Sequence, residues 1–404
     1  MRYFSWDYVI CTLLLFAGMI VLPLLLSFKM FEPLTLSLTD FRITDIVDSK
    51  IVPRDQLEAD TNMILVNCFM DNEEISNLDL ARTINILNKC NPKVIGIKKI
   101  IKKSKTQKEN DLLAMVLSKS GNLVFSMHFN KFDKEKGEYT RIIRSDKYFS
   151  QFGSEGFENF LPVHDERTHT IRGFSPKLNV AEKSYNSFSV ELAKAYHPES
   201  VKKLMERKNN IELIDFLGNY QFFRMEFTDI LEQNFEPHFF ENKIVMIGRI
   251  STKNAIDSNM ALEDVFFTPL NDSYTGKAFP DMYGSIVQAN VISMILKGNY
   301  LTSMPNWIIY IISIFFVYFN MILFTYVTVR NKKWYEIFSL LIFVIESIII
   351  LAATIICFIF INYEMNSTIP IFAIALSIII YEIYHSSLKP LTIKTYYKFI
   401  HKGY

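Results

Sequence analysis

Residues 63–97 read MILVNCFMDNEEISNLDLARTINILNKCNPKVIGI, and this stretch decides the class of fold. Met63-Ile64-Leu65-Val66 is a short continuous apolar run, the mark of a buried strand. Leu78, Leu80, Ala81, Ile84 and Leu87 then recur at the three-to-four spacing of an amphipathic helix. Asn91-Pro92 stops that helix, since proline lacks an amide hydrogen and disfavours helical backbone in the residue before it. Val94-Ile95-Gly96-Ile97 is the next strand. Beyond it, 111–119 is helical, Gly121-Asn122 breaks the helix, and Leu123-Val124-Phe125 is a third strand. This β-α-β-α-β order implies a parallel sheet joined by right-handed crossovers.

Further along, Lys243-Ile244-Val245-Met246-Ile247-Gly248 is another buried strand, and a helix runs from about Met282 to Leu296. The long segment 249–280 lies between them. Ligands of open parallel sheets bind beyond the carboxyl ends of the strands, and a loop of this length is usually functional or a contact surface. Asp264 and Thr268 are its candidate ligand or partner contacts, although Thr268-Pro269 reads equally as a turn device. The Lys98–Lys108 run reads as a solvated face. The secondary structure of 130–235 stays open.

Outside this region the chain is apolar. A membrane helix needs roughly 20 apolar residues, and Val9–Phe28, Trp307–Val329, Ile337–Ile361 and Ile369 to about Tyr384 meet that length or approach it. The first is longer than the apolar core of a signal peptide and lacks a small-x-small cleavage site, so it reads as an uncleaved anchor. Arg330-Asn331-Lys332-Lys333 and the tail with Lys389, Lys394, Lys398 and Lys402 are basic, whereas 362–366 is not; short basic loops stay cytoplasmic. Both termini are therefore expected inside. Trp6, Tyr8, Trp307, Trp334 and Tyr335 fall at the expected interfaces. Four parts follow: an anchor over 1–29, an extracytoplasmic domain over 30–304, three membrane helices over 305–385, and a short basic tail over 386–404. The fold expected is a parallel-rich α/β domain carried by a four-helix transmembrane bundle.

A net charge of +1 gives no basal attraction to nucleic acid, which rests on clustered Lys and Arg. No nucleotide loop or nucleophile elbow appears, because Asn271 stands where a phosphate loop ending in Thr275-Gly276-Lys277 requires Gly. The histidines are scattered, and His164-Asp165-Glu166 with His169 is too sparse for a zinc set. No enzyme activity, metal or cofactor is expected. Cys68 and Cys90 are open to two readings, a disulfide in an oxidising compartment or two buried thiols. Glu346, near the centre of the third span, costs about 2.5–3.5 kcal/mol on insertion scales and so needs a partner. An intramembrane contact to another subunit, a protonation switch and a hydrogen bond inside the bundle are the alternatives.

The arrangement resembles the CHASE2 family of extracytoplasmic sensor domains over most of 38–304. Asp40-Phe41-Arg42 resembles its D-x-R opening, and 63–97 its next block. Gly156–Pro176, with Ile171-Arg172, resembles a segment ending in Arg. Asn242–Gly248, then Asp264 and Thr268-Pro269, then Tyr283-Gly284 leading to Gln288-Ala289-Asn290 resembles its K-I-V-L-I-G, D-x-x-x-T-P and G-x-x-x-H-A-N blocks. One apolar helix before the domain and three after it are also similar. The resemblance adds Asp40, Arg42, Arg172 and Gln288 to the candidate contacts. It departs where family members commonly carry acidic residues: Asn67-Cys68 and Lys98-Lys99 stand there, and Gln288 replaces the helix His. The family's usual cyclase, kinase or phosphatase partner is missing from the sequence; about 19 residues follow the last span.

The expected function is a membrane-anchored sensor or scaffold subunit of a bacterial envelope complex, multi-pass in the inner membrane with 30–304 periplasmic. It would bind a small ligand or a protein partner and act through separate subunits. The alternative is a purely structural docking platform of a secretion or transport assembly, with no ligand site. A transporter is disfavoured, since four spans with one intramembrane carboxyl show no repeated halves.

Overall fold

The computed structural model describes residues 6–26, 42–52, 56–70, 73–133, 135–163, 169–251, 264–271 and 279–390. Asp40, the His164-Asp165-Glu166 group, most of the 249–280 segment and the tail beyond 390 lie outside the described residues. The chain divides into two compact units, residues 45–301 and residues 1–44 with 302–404.

In chain order the main elements are α1 (Trp6–Leu26), β1 (Asp60–Asn67), α2 (Asn77–Lys89), β2 (Val94–Ile97), α3 (Gln107–Lys119), β3 (Leu123–Asp133), β4 (Glu138–Arg144) and β5 (Ser154–Phe157). Then follow α4 (Phe188–Tyr196), α5 (Pro198–Glu206), β6 (Phe222–Glu226), α6 (Phe227–Leu231), β7 (Ile244–Gly248), α7 (Gly284–Lys297), α8 (Asn306–Asn331), α9 (Tyr335–Ile361) and α10 (Thr368–Ile383).

The 45–301 unit is built on one mixed, parallel-rich sheet in the order β6-β1-β7-β2-β3-β4. All neighbouring pairs are parallel except β3 with β4, and β5 pairs in parallel with the first half of β3. The β1-α2-β2-α3-β3 series is thus parallel, as its hydrophobic periods predict. A longer-range pairing adds β7 between β1 and β2, with Met63 opposite Ile244 and Val94 opposite Ile244 on its other side.

Alternation along the strands feeds two cores. Met63 and Leu65 of β1 and Ile244 and Met246 of β7 pack with Phe188, Val190, Leu192, Ile286 and Ile292 of α4 and α7. Ile64, Val66, Val245 and Ile247 point the other way, onto Leu80, Ile84 and Leu87 of α2 and Leu113 and Leu117 of α3. Successive strand side chains face opposite sides, so helices cover both faces, and each fully buried Leu or Ile is worth about 1.5–3 kcal/mol. Ser76 caps α2 by accepting the Asp79 amide at 3.1 Å, and Asn91 at φ 52° turns the chain before Pro92. The α3 helix begins at Gln107, a turn ahead of 111, and Met282-Tyr283 is a short strand ahead of α7.

In the other unit the four helices pack together. Cys11 and Leu15 of α1 meet Val317, Met321 and Phe324 of α8, Tyr335 of α9, and Ala373 and Tyr381 of α10. By length and apolarity, two helical runs among the described residues suffice to cross a membrane: Asn306–Ile361 and Thr368–Leu388. The first run holds both α8 and α9 of the four spans expected from sequence. The Trp6–Val21 stretch is apolar but shorter. The longer run is interrupted by extended backbone at Asn331 and a 3-10 turn over Lys332–Trp334, which part α8 from α9 at the basic cluster.

Candidate functional site

Four strands of the parallel sheet deliver their carboxyl ends to one cleft of about 560 Å³. Lys98 and Lys99 directly follow β2, Arg249 directly follows β7, Phe69 follows β1, and Glu158 and Asn159 follow β5. The outer half of β3, with His128, Phe129 and Phe132, forms one wall together with Tyr139 and Ile143 of β4. Asp264 and Phe266 close it from the segment ahead of α7. Its volume falls in the range usual for small-molecule sites.

Lys98 and Lys99 are both buried, at 8% exposure, which corrects the expectation of a solvated face beginning at Lys98. A buried ammonium must be paired. Lys98 Nζ lies 2.5 Å from Asp264 Oδ2 and 3.6 Å from Glu158 Oε2. Glu158 Oε1 in turn lies 3.3 Å from His128 Nδ1. Lys99 Nζ donates to the Ile75 carbonyl at 2.7 Å and meets Glu74 at 3.1 Å. Arg249 stacks on the Phe69 ring, 4.6 Å from its centre.

Burial works against the Lys98 ammonium, but Asp264 and Glu158 outweigh it and raise its pKa. Burial also opposes the Glu158 carboxylate, yet Lys98 and His128 together hold it down at about 2. Asp264 goes the other way: burial raises it, and Glu158 adds to the rise against the pull of Lys98. One ammonium shared by two carboxylates thus favours Glu158.

Glycine makes the ion pair sterically feasible from both sides. A Cβ on Gly284 would sit 2.3 Å from Asp264 Oδ1, and one on Gly248 would lie 2.5 Å from Ser285 Oγ and 3.2 Å from the Lys98 Cβ. The main chain of Asp264, at φ 63°, is fixed separately: the Gly284 amide donates to its carbonyl at 2.8 Å.

Of the residues marked by sequence, Asp264 alone among those described lines the cleft. Gln288 stands behind it, donating to the Glu158 carbonyl at 2.7 Å and accepting from Ser189. It positions Glu158 and makes no part of the lining. Thr268 lies outside the cleft lining, and its amide and hydroxyl both donate to the half-buried Asp281 carboxylate. Burial pushes Asp281 up to about 7 in spite of those bonds. Arg172 makes a two-pronged pair with Asp45, Nε to Oδ1 at 2.8 Å and Nη2 to Oδ2 at 2.5 Å. Arg42 belongs to the helical unit, where it donates to Glu364 at 2.6 Å. Glu346 is buried there and accepts from Asn320 at 2.8 Å, with Ser377 3.4 Å from the same amide nitrogen. Asn67 ties the strand ends, donating to Glu226 at 2.8 Å and accepting from the Ile250 amide. Cys68 and Cys90 are both free buried thiols, and burial pushes Cys68 up to about 12. Among the described residues no cluster of three metal-ligating groups occurs.

Sequence reasoning missed Lys98, Lys99, Arg249, His128 and Glu158. The signal was present for the first three, as cations placed directly behind buried strands of a parallel sheet. His128 and Glu158 fall in or beside the middle region whose elements carry no clear period.

An α/β domain with a charged cleft over its strand ends, set in sequence between apolar helices, has the architecture of a receptor domain. The chain belongs to the CHASE2 domain family, whose profile matches residues 13–328. That match covers all of 45–301 and reaches into α1 and α8. CHASE2 domains are extracytoplasmic sensor domains. No curated protein and no solved structure matches the chain.

Proposed function

We propose that this protein is a membrane-anchored sensor or scaffold subunit whose cleft over the sheet's carboxyl edge receives a small ligand or a partner group. The observation that carries this reading is the cleft itself: buried cations and carboxylates from separate strands converge on an open, partly aromatic space. A protein that needed only a packed sheet edge would gain nothing from burying Lys98 and Lys99, because ions taken out of water cost more than apolar residues of similar size.

In this reading α1, α8, α9 and α10 lie in the inner membrane, the 45–301 domain is periplasmic, and both termini are cytoplasmic. The basic cluster at the α8–α9 break supports that sidedness. The chain is no enzyme in this reading, uses no metal or cofactor, binds no nucleic acid, and passes its state to separate protein subunits.

The test uses the full chain in lipid nanodiscs, screened by thermal shift against pooled small metabolites, beside an Ile143→Trp variant that fills the cleft. A ligand that stabilises the native protein and not the filled variant supports the reading. A ligand shift that survives Ile143→Trp moves the site elsewhere. A stoichiometric pull-down of envelope proteins from native membranes, undiminished by Ile143→Trp, favours the docking platform without a ligand site.

A further inference from the structure

The Asp264 carboxylate can leave Lys98 without breaking the hydrogen bonds that hold its own backbone. The Asp264 carbonyl is held by the Gly284 amide at 2.8 Å, and Val265 and Phe266 pair with Tyr283 and Met282. None of these bonds involves the Asp264 carboxylate, whose one hydrogen-bond partner among the described residues is Lys98. Glu158 is the opposite case. Lys98 and His128 both face its carboxylate, and Gln288 secures its main chain.

We propose that the cleft takes a small monocarboxylate with an aromatic or branched apolar body, and that Asp264 is a built-in competitor which the ligand's carboxylate displaces from Lys98. The proposal rests on the reading of the cleft as a ligand site and names the ligand's chemistry. A carboxylate is the natural replacement because the group it displaces is one, so the charge on Lys98 stays balanced throughout. Lys99 and Arg249 line the same cleft and are themselves buried, which favours an incoming anion over a cation. Opposite them, Phe129, Phe132, Tyr139, Ile143 and Phe266 offer an apolar wall to the ligand's body. The released Asp264 carboxylate stays in the field of Arg249, whose charge already works against the rise that burial imposes on it. Glu158 remains on Lys98 in both states, so the ammonium is never left unpaired in a buried place.

An internal competitor makes a distinctive prediction: removing it improves binding. The experiment is fluorine NMR on the full chain in nanodiscs, with 4-(trifluoromethyl)benzoate as probe and its uncharged amide and the matching benzylamine as controls. Asp264→Asn is expected to bind the benzoate about tenfold tighter than the native protein, the scale of one charge-assisted contact. Lys98→Met in the Asp264→Asn background removes the cation without stranding two carboxylates, and is expected to lose that gain entirely. If the double variant fails to fold, the comparison of native protein with Asp264→Asn still decides. Unchanged or weaker benzoate binding in Asp264→Asn overturns the exchange, as does equal binding of the amide or amine, while either result leaves the cleft a ligand site. Failure of every probe on every variant overturns the proposal, and the reading of the cleft loses support with it.

Discussion

Lys98 and Glu346 are both buried ionisable groups, one in the α/β domain and one among the helices, and the protein satisfies them in different ways. Lys98 is met by full opposite charges, Asp264 at 2.5 Å and Glu158 at 3.6 Å. Glu346 is met by a neutral dipole, the Asn320 amide, which also reaches the Ser377 hydroxyl. Charge compensation requires whole ions to be kept in register, and loss of one partner leaves another exposed to a low dielectric. Dipole satisfaction asks for less and costs less to disturb. Asp281 separates the manner of pairing from location, because it lies in the α/β domain yet is held by neutral groups, among them the Thr268 amide and hydroxyl.

The largest expected effect breaks the first member of this comparison. Lys98→Met leaves Asp264 and Glu158 without the ammonium they share, and should cost about 3–5 kcal/mol in the unfolding of the 45–301 domain. Adding Asp264→Asn should recover most of that loss in a double-mutant cycle; independent, additive losses would show that the two groups are not coupled.

Asp281 gives the next effect, as a pH dependence. Its folded pKa of about 7 exceeds the ordinary 3.8, so the folded state keeps a proton that the unfolded chain releases. Stability from this group is therefore full below about 4 and falls by up to about 1.4 kcal/mol per unit as pH rises towards 7. Glu158 has the opposite sign: its contribution is present above the ordinary 4.5 and is lost as pH falls towards about 2. Thermal melts from pH 3 to 8 should show the decline above pH 4, and Asp281→Asn should flatten it.

Gly284→Ala sharpens the charged case sterically. Its Cβ would lie 2.3 Å from Asp264 Oδ1 and must push the carboxylate off Lys98. A loss of about 1–3 kcal/mol is expected, as for other overpacked sites, and Asp264→Asn should not relieve it, since the amide has the same shape. The smallest effect tests the neutral case. Asn320→Leu should cost about 1 kcal/mol, the scale of interhelical hydrogen bonds in membranes, read as the detergent midpoint for unfolding of the helical unit. A loss as large as that of Lys98→Met would erase the distinction between the two regions.

The order of strands and helices from Met63 to Phe125 is legible because each element carries its own hydrophobic period, and the connections between them are short. The placement of β7 between β1 and β2 is not, since it joins residues about 180 and 150 positions apart and leaves no local trace. Lys98 and Lys99 look like the start of a solvated run when read with Lys102, Lys103, Lys105 and Lys108. Their burial depends on Asp264 and Glu158, which arrive from far along the sequence. Asp264 was legible through its place after the Lys243–Gly248 strand, whereas the role of Gln288 appears only once its amide is seen on the Glu158 carbonyl. Arg42 and Arg172 stand out equally in sequence, yet the fold sends them to separate units, each to its own carboxylate.

The Arg42 contact has an architectural consequence. Arg42 and Thr44 both bind Glu364, while Thr302 and Ser303 pair with Tyr363 and the same Glu364. The chain thus departs for the 45–301 domain and returns from it at neighbouring points on one short loop. Closely spaced ends are what allow a domain to be inserted into, or exchanged within, a host protein. Residues 45–301 therefore have the geometry of an interchangeable module. A chimera that keeps Arg42, Thr44, Thr302, Ser303 and the 362–367 loop retains the contacts that hold the two chain ends close together.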